Sequence, residues 1–195
     1  MIDEDRRRFL VGAGTAVSVS VNGCLGSSDN SPNEGEGSDD GSGPPETLPE
    51  SGDESYIQDV EQFESRGREH VNEEVDYERI PPLSGPHHGG VVDAGYYEQP
   101  QSTEELVHSL EHGAVVVYYD PDAITEEARS DLRERANVHT GTWTSVIVAP
   151  SQDNPEAPYT LTAWRHRLRI DEYEPEAVTA FLAEYLGRGP ENPVR

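Results

Sequence analysis

A chain of 195 residues with 39 acidic against 14 basic side chains carries a formal net charge of −25, and every basic side chain is an arginine. This balance excludes nucleic acid and anionic headgroups as direct partners, because no basic patch is present to release counterions from a phosphate surface. Self-repulsion on this scale is tolerated in concentrated salt, so the acidity reads as that of a halophile rather than as a site for a cationic ligand.

The chain opens with Arg6-Arg7-Arg8-Phe9-Leu10, followed by a small, apolar run that closes at Val21-Asn22-Gly23-Cys24. The paired arginines fit a twin-arginine export address, and the run from Leu10 to Val21 is too short to span a bilayer. Residues 1–23 are therefore expected to be a cleaved lipoprotein signal, with Cys24 as the lipidated residue. Cys24 is the sole cysteine, so its lipidation leaves no thiol for catalysis, no disulfide and no CxxC motif. The expected location is the extracytoplasmic face of the cell membrane, with the membrane as a partner through the anchor; no protein partner is legible.

Residues 24–54 read as an acidic, disordered linker. Between 25 and 54 there are nine acids, no base, and only Leu25 and Leu48 as large apolar residues, too little to bury against the entropy of folding. Such a tether of about thirty residues ranges on the order of 30 Å.

Residues 55–195 read as one globular domain. Tyr56, Ile57, Val60 and Phe63 fall at helical spacing and predict a short opening helix. From Gly67 to Pro100 the breakers Pro81-Pro82, Ser84-Gly85-Pro86 and Gly89-Gly90 predict a long loop, and long irregular segments inside domains are often functional. Ser102-Thr103-Glu104-Glu105 is a capping box, so a short helix follows through His112 until Gly113 ends it. Ala114 to Tyr119 and Val146 to Ala149 lack polar alternation and predict strands buried on both faces. Ile124, Ala128, Leu132 and Ala136 step by four along a helix between them. Tyr159 to Ile170 reads as one long strand with a break near Trp164, where the apolar face changes. Pro175 opens a last helix bearing Val178, Phe181, Leu182 and Tyr185. The order predicts an α+β (or α/β) single domain with a small mixed β-sheet flanked by helices. Strand–helix–strand–strand–helix also occurs in thioredoxin-like folds, an analogy of element order alone.

The chemistry resides in His108-Ser109-Leu110-Glu111-His112, an H-x-x-E-H run on the short helix. Imidazoles at i and i+4 share a face and can grip one ion, with the Glu as ligand or base. On a helical wheel both histidines lie opposite Leu106, Val107 and Leu110, so they face solvent or a cleft. The nearest candidate roof is the loop carrying His87 and His88. The bland alternative is a set of surface histidines that hydrogen-bond the loop to the helix. No nucleophile elbow, phosphate loop or dinucleotide fingerprint is present, so catalysis is not expected. A metal-dependent hydrolase with Glu111 as base is the one enzymatic alternative. Arg165, Arg167 and Arg169 alternate and are expected to offset nearby carboxylates; His139 and His166 stand alone and are expected to be structural, and the paired tyrosines 96, 97, 118 and 119 to serve packing.

Gly67-Arg68-Glu69-His70-Val71, Ser84-Gly85-Pro86-His87-His88, Gly95-Tyr96-Tyr97, Leu106 to Gly113, Leu161-Thr162-Ala163-Trp164 and Gly187-Arg188-Gly189-Pro190-Glu191 together resemble the DUF3105 family of exported or membrane-anchored proteins. The resemblance implies that His70, His87, His108, Glu111 and His112 occupy family motif positions. His88 stands where relatives commonly have tyrosine and ranks below His87 as a ligand. Relatives often carry a cysteine or tryptophan soon after this motif, and this chain has neither between Gly89 and Gly95. All-imidazole ligation with a carboxylate and no thiolate or thioether suits a Cu or Zn ion. The expected function is thus a lipid-anchored, extracytoplasmic transition-metal-binding protein, with a metal-free interaction or scaffold domain as the alternative.

Overall fold

Two strands whose every residue is buried decide the architecture. In the computed structural model, which describes residues 48–152 and 155–195, these are β3 (Val115–Tyr119) and β4 (Val146–Pro150), parallel neighbours joined through helix α2 (Glu126–Val138). Side chains alternate across a strand, and here both faces are covered. Val115, Val117, Tyr119, Val146 and Val148 face Leu132 of α2 together with Phe181 and Leu182 of helix α3 (Pro175–Tyr185). Val116, Tyr118 and Ile147 face Leu106 and Leu110 of helix α1 (Thr103–His112) and Val92 of the long loop. This two-sided burial is why the sequence shows no polar alternation there.

The sheet has six strands in the order β1-β6-β5-β3-β4-β2. Strand β2 (Gly95–Tyr96) is parallel to β4, whereas β5 (Tyr159–Ala163) is antiparallel to β3, and β6 (His166–Ile170) to β5. The domain is α+β, with a mixed sheet and three helices.

Two expectations are corrected. The opening helix is a 3₁₀ turn, Glu54–Ile57, followed by the two-residue edge strand β1 (Glu61–Gln62) on β6. Its apolar residues are used in another way: Ile57 and Val60 pack on the main core, and the Phe63 ring lies under the Arg79 and Arg167 guanidiniums. The single long strand is instead a hairpin. Trp164 and Arg165 turn the chain, with Arg165 at φ 69°, and the turn is fixed by Arg165 N–H donating to Leu83 O and its Nε to Phe63 O. Reversal of the chain moves the apolar residues to a new register, which the sequence presents as a change of face. Arg167 and Arg169 both reach Glu61.

The segments expected to be an export signal and a linker, with Cys24, lie outside the described residues as far as residue 47. Among the described residues no helix is long and apolar enough to cross a membrane.

Candidate metal centre

Helix α1 is built to hold its ends still. The Ser102 side chain accepts the Glu105 N–H, and Gly113, left-handed at φ 108°, closes the other end with its own N–H on Leu110 O. Leu106, Val107 and Leu110 are buried beneath, each worth about 1.5–3 kcal/mol. His108 and His112 consequently project from the opposite side of a rigid element, with Glu111 on its flank.

Four backbone segments cover that side. Residues 67–71 and 85–87 run side by side: Gly85 N–H donates to Gly67 O, His87 N–H to Glu69 O and Val71 N–H to His87 O. This parallel bridge puts His70 beside His87, with ring centroids 5.0 Å apart. The stretch around Gly90 and Val92 is tied to the helix by Val92 N–H donating to Ser109 Oγ. The C-terminal segment crosses the helix end, where Gly187 N–H donates to Gly113 O and Glu191 N–H to Glu111 O.

The result is a group of His70, His87, His108 and Glu111, with one ligand atom from each lying within 4.8 Å of the others, and a second group of His108, His112 and Glu191. Two ligands of one tetrahedral zinc at about 2.0 Å are about 3.3 Å apart, so a modest contraction of either shell suffices.

The protonation of the rings follows from their backbone partners. His87 Nδ1 is 2.8 Å from Gly85 O and His108 Nδ1 is 3.0 Å from Gly90 O. A carbonyl only accepts, so each Nδ1 carries the hydrogen and a neutral ring presents a lone pair at Nε2. Backbone hydrogen bonding at Thr142 acts on His112 as well. This arrangement, an imidazole oriented by a carbonyl behind it, is the usual support of a metal-binding histidine.

His87 Nε2 is 3.0 Å from Glu111 Oε2, yet the contact lacks hydrogen-bond geometry, and among the described residues it is the buried side-chain nitrogen left without a hydrogen-bond partner. The ring is fully buried and the Glu111 side chain is 6% exposed. A lone pair facing a carboxylate in a dry place is repulsive unless a cation or proton lies between them. Burial holds His87 below the usual imidazole range; hydrogen bonding to Gly85 and the Glu111 charge oppose this without reversing it. Burial, and then His108, lower His112 also. Both rings thus favour the neutral, ligating form. Arg68 Nη1, 3.4 Å from Glu111 Oε1, supplies part of the missing positive charge from the surface.

These depressed values have a consequence for metal-free protein. The unfolded chain takes up protons on these histidines below 6.5, whereas the folded chain resists. The folded state is therefore expected to lose stability as pH falls below 6.5, with no such loss above it. Glu61, lowered chiefly by its hydrogen bond from Arg167, contributes a separate loss below 4.5. Thermal melts across the upper window, in about 1 M salt to screen surface repulsion, check this; a flat melting temperature from neutrality to about pH 5 would contradict it.

His88 lies outside both groups. Consecutive residues of an extended segment point oppositely, and its Nε2 approaches Glu73 O at 3.3 Å. His166 is bonded to Trp164 O and stacked on Tyr185, and His139 is buried near the end of α2. Three participants were not identified as site residues from the sequence. They are Glu191, Arg68 and Trp143, whose ring lies 4.3 Å from that of His112. Glu191 is more than seventy residues from the helix in sequence, and no local pattern marks it as a ligand.

No curated protein and no solved structure matches the chain. Residues 70–195, which hold every member of both histidine groups, match the family model described as Protein of unknown function (DUF3105), and the chain belongs to that family.

Proposed function

We propose that the domain binds one transition-metal ion, copper or zinc, in the group formed by His87, His108, Glu111 and His70, and that it does so while tethered through lipidated Cys24 to the extracytoplasmic face of the membrane. One observation carries the metal reading: the Nε2 lone pair of His87, buried, oriented by Gly85 and without a hydrogen-bond partner, faces the Glu111 carboxylate. A divalent ion between them removes the repulsion and satisfies both groups. Three imidazoles and a carboxylate without sulfur suit Cu(II) or Zn(II).

The same contacts support a second reading. Protonated His87 and His112 would form ion pairs with Glu111 and Glu191, and the cluster would then fasten loop to helix without metal. Burial disfavours the charged imidazole at His87, so the metal reading is preferred. Glu111 is assigned as a ligand rather than a catalytic base, because its Oε2 lies buried 3.0 Å from the unpartnered His87 Nε2, where an ion would sit between them, while Oε1 is held by Arg68.

Metal content of the full-length chain, purified in high salt without an affinity tag, separates the readings. The expected result is roughly one equivalent of copper or zinc, lost in a His108→Ala, His112→Ala double variant. Metal-free protein that also takes up no added ion would favour the scaffold reading.

A further inference from the structure

The two histidine groups share His108, and their exposures form a gradient. Side-chain exposure falls from 43% at Glu191 through 14% at His112 and 7% at His108 to zero at His87. The rings make a row, with centroids 4.6 Å apart from His112 to His108 and 4.9 Å from His108 to His87. Because Gly90 O occupies His108 Nδ1, the single remaining nitrogen serves either group but not two ions at once. The groups are thus alternative positions for one ion.

The inner group has another opening, at exposed His70. There the Arg68 guanidinium stands against Glu111 and repels an arriving cation. At the other end Glu191 presents a carboxylate 2.9 Å from His112 Nε2 and 4.0 Å from His108 Nε2. Charge therefore favours approach from the C-terminal segment.

We propose that His112 and Glu191 form a capture site for a divalent cation, which then passes inward by pivoting on His108; this rests on the metal reading above. In the transfer the ion keeps its bond to His108 Nε2. Its bonds to His112 Nε2 and the Glu191 carboxylate are replaced by bonds to His87 Nε2 and the Glu111 carboxylate. No electron changes hands, and the two outer ligands recover their lone pairs and bind water.

Trp143, in contact with His112, reports the first position. Cu(II) mixed rapidly with the full chain is expected to quench its fluorescence in a fast phase that scales with copper concentration, followed by a slower, concentration-independent phase. Glu191→Gln is expected to slow the fast phase roughly tenfold and to slow release to a chelator in parallel, so that affinity changes far less than either rate. His87→Ala is expected to keep the fast phase and lose the slow one. Circular dichroism of both variants is the check that each remains folded. Glu191→Gln weakening equilibrium binding as much as His87→Ala would mean one continuous ligand shell, and an unchanged uptake rate would mean access past His70; either overturns the proposal. Absence of any copper response in the parent chain would instead overturn the metal reading itself.

Discussion

His108→Ala is expected to lower metal affinity by at least about a hundredfold. A structural ion held by four ligands is worth about 10–16 kcal/mol, so the loss of one ligand costs on the order of 3 kcal/mol. His108 belongs to both groups, so its removal leaves His70, His87 and Glu111 on one side and only His112 and Glu191 on the other. Competition against a chelating indicator measures the loss. His88→Ala, on the loop that carries His87 but outside both groups, provides the comparison and is expected to leave affinity unchanged. Equal affinities in the parent and His108→Ala proteins would remove His108 from the binding site.

Gly189→Ala is expected to destabilise the domain by about 3 kcal/mol, near the upper end for overpacking, and to lower its melting temperature by about 8 °C. A β-carbon there would lie 2.2 Å from Glu111 O and 2.3 Å from Gly113 N, both rigid backbone atoms. The C-terminal segment would have to lift from the end of α1, breaking the Glu191 N–H bond to Glu111 O. The same substitution should then slow metal uptake as Glu191→Gln does, although position 189 offers no ligand atom. A melt indistinguishable from the parent would show that the segment packs less closely.

Much of the fold was legible because both kinds of signal were local. The Ser102 cap and Gly113 stop bracket α1, and the continuous apolar runs at Val115 and Val146 mark strands covered on both faces. The opening segment misled because Ile57, Val60 and Phe63 satisfy helical spacing and an edge strand equally well; pairing with β6, remote in sequence, decides between them. The hairpin at Trp164 and Arg165 carries no glycine, asparagine or proline to mark a turn. Its stabilisation comes from Leu83 and Phe63, again from elsewhere in the chain.

The site divides in the same way. His108 and His112 were identifiable from their i, i+4 spacing, and the wheel placed them away from the core face. Their burial is tertiary, since His108 is 5% exposed only because the loop and the C-terminal segment close over it. The pairing of His70 with His87 depends on a backbone bridge across seventeen residues that no local pattern marks; the family resemblance singled out both positions but not their contact. Glu191 stood within a recognised closing motif without any sign of its ligand position.

The central claim is that neutral, carbonyl-oriented imidazoles bind an ion through Nε2. Nitrogen-15 spectra of the histidine rings, recorded on the full chain during titration with zinc, test it directly. The account predicts that the Nε2 resonances of His87 and His108 shift together and saturate at one equivalent while their Nδ1 atoms keep their hydrogens. Shifts confined to His88 and other exposed rings, without saturation, would contradict it.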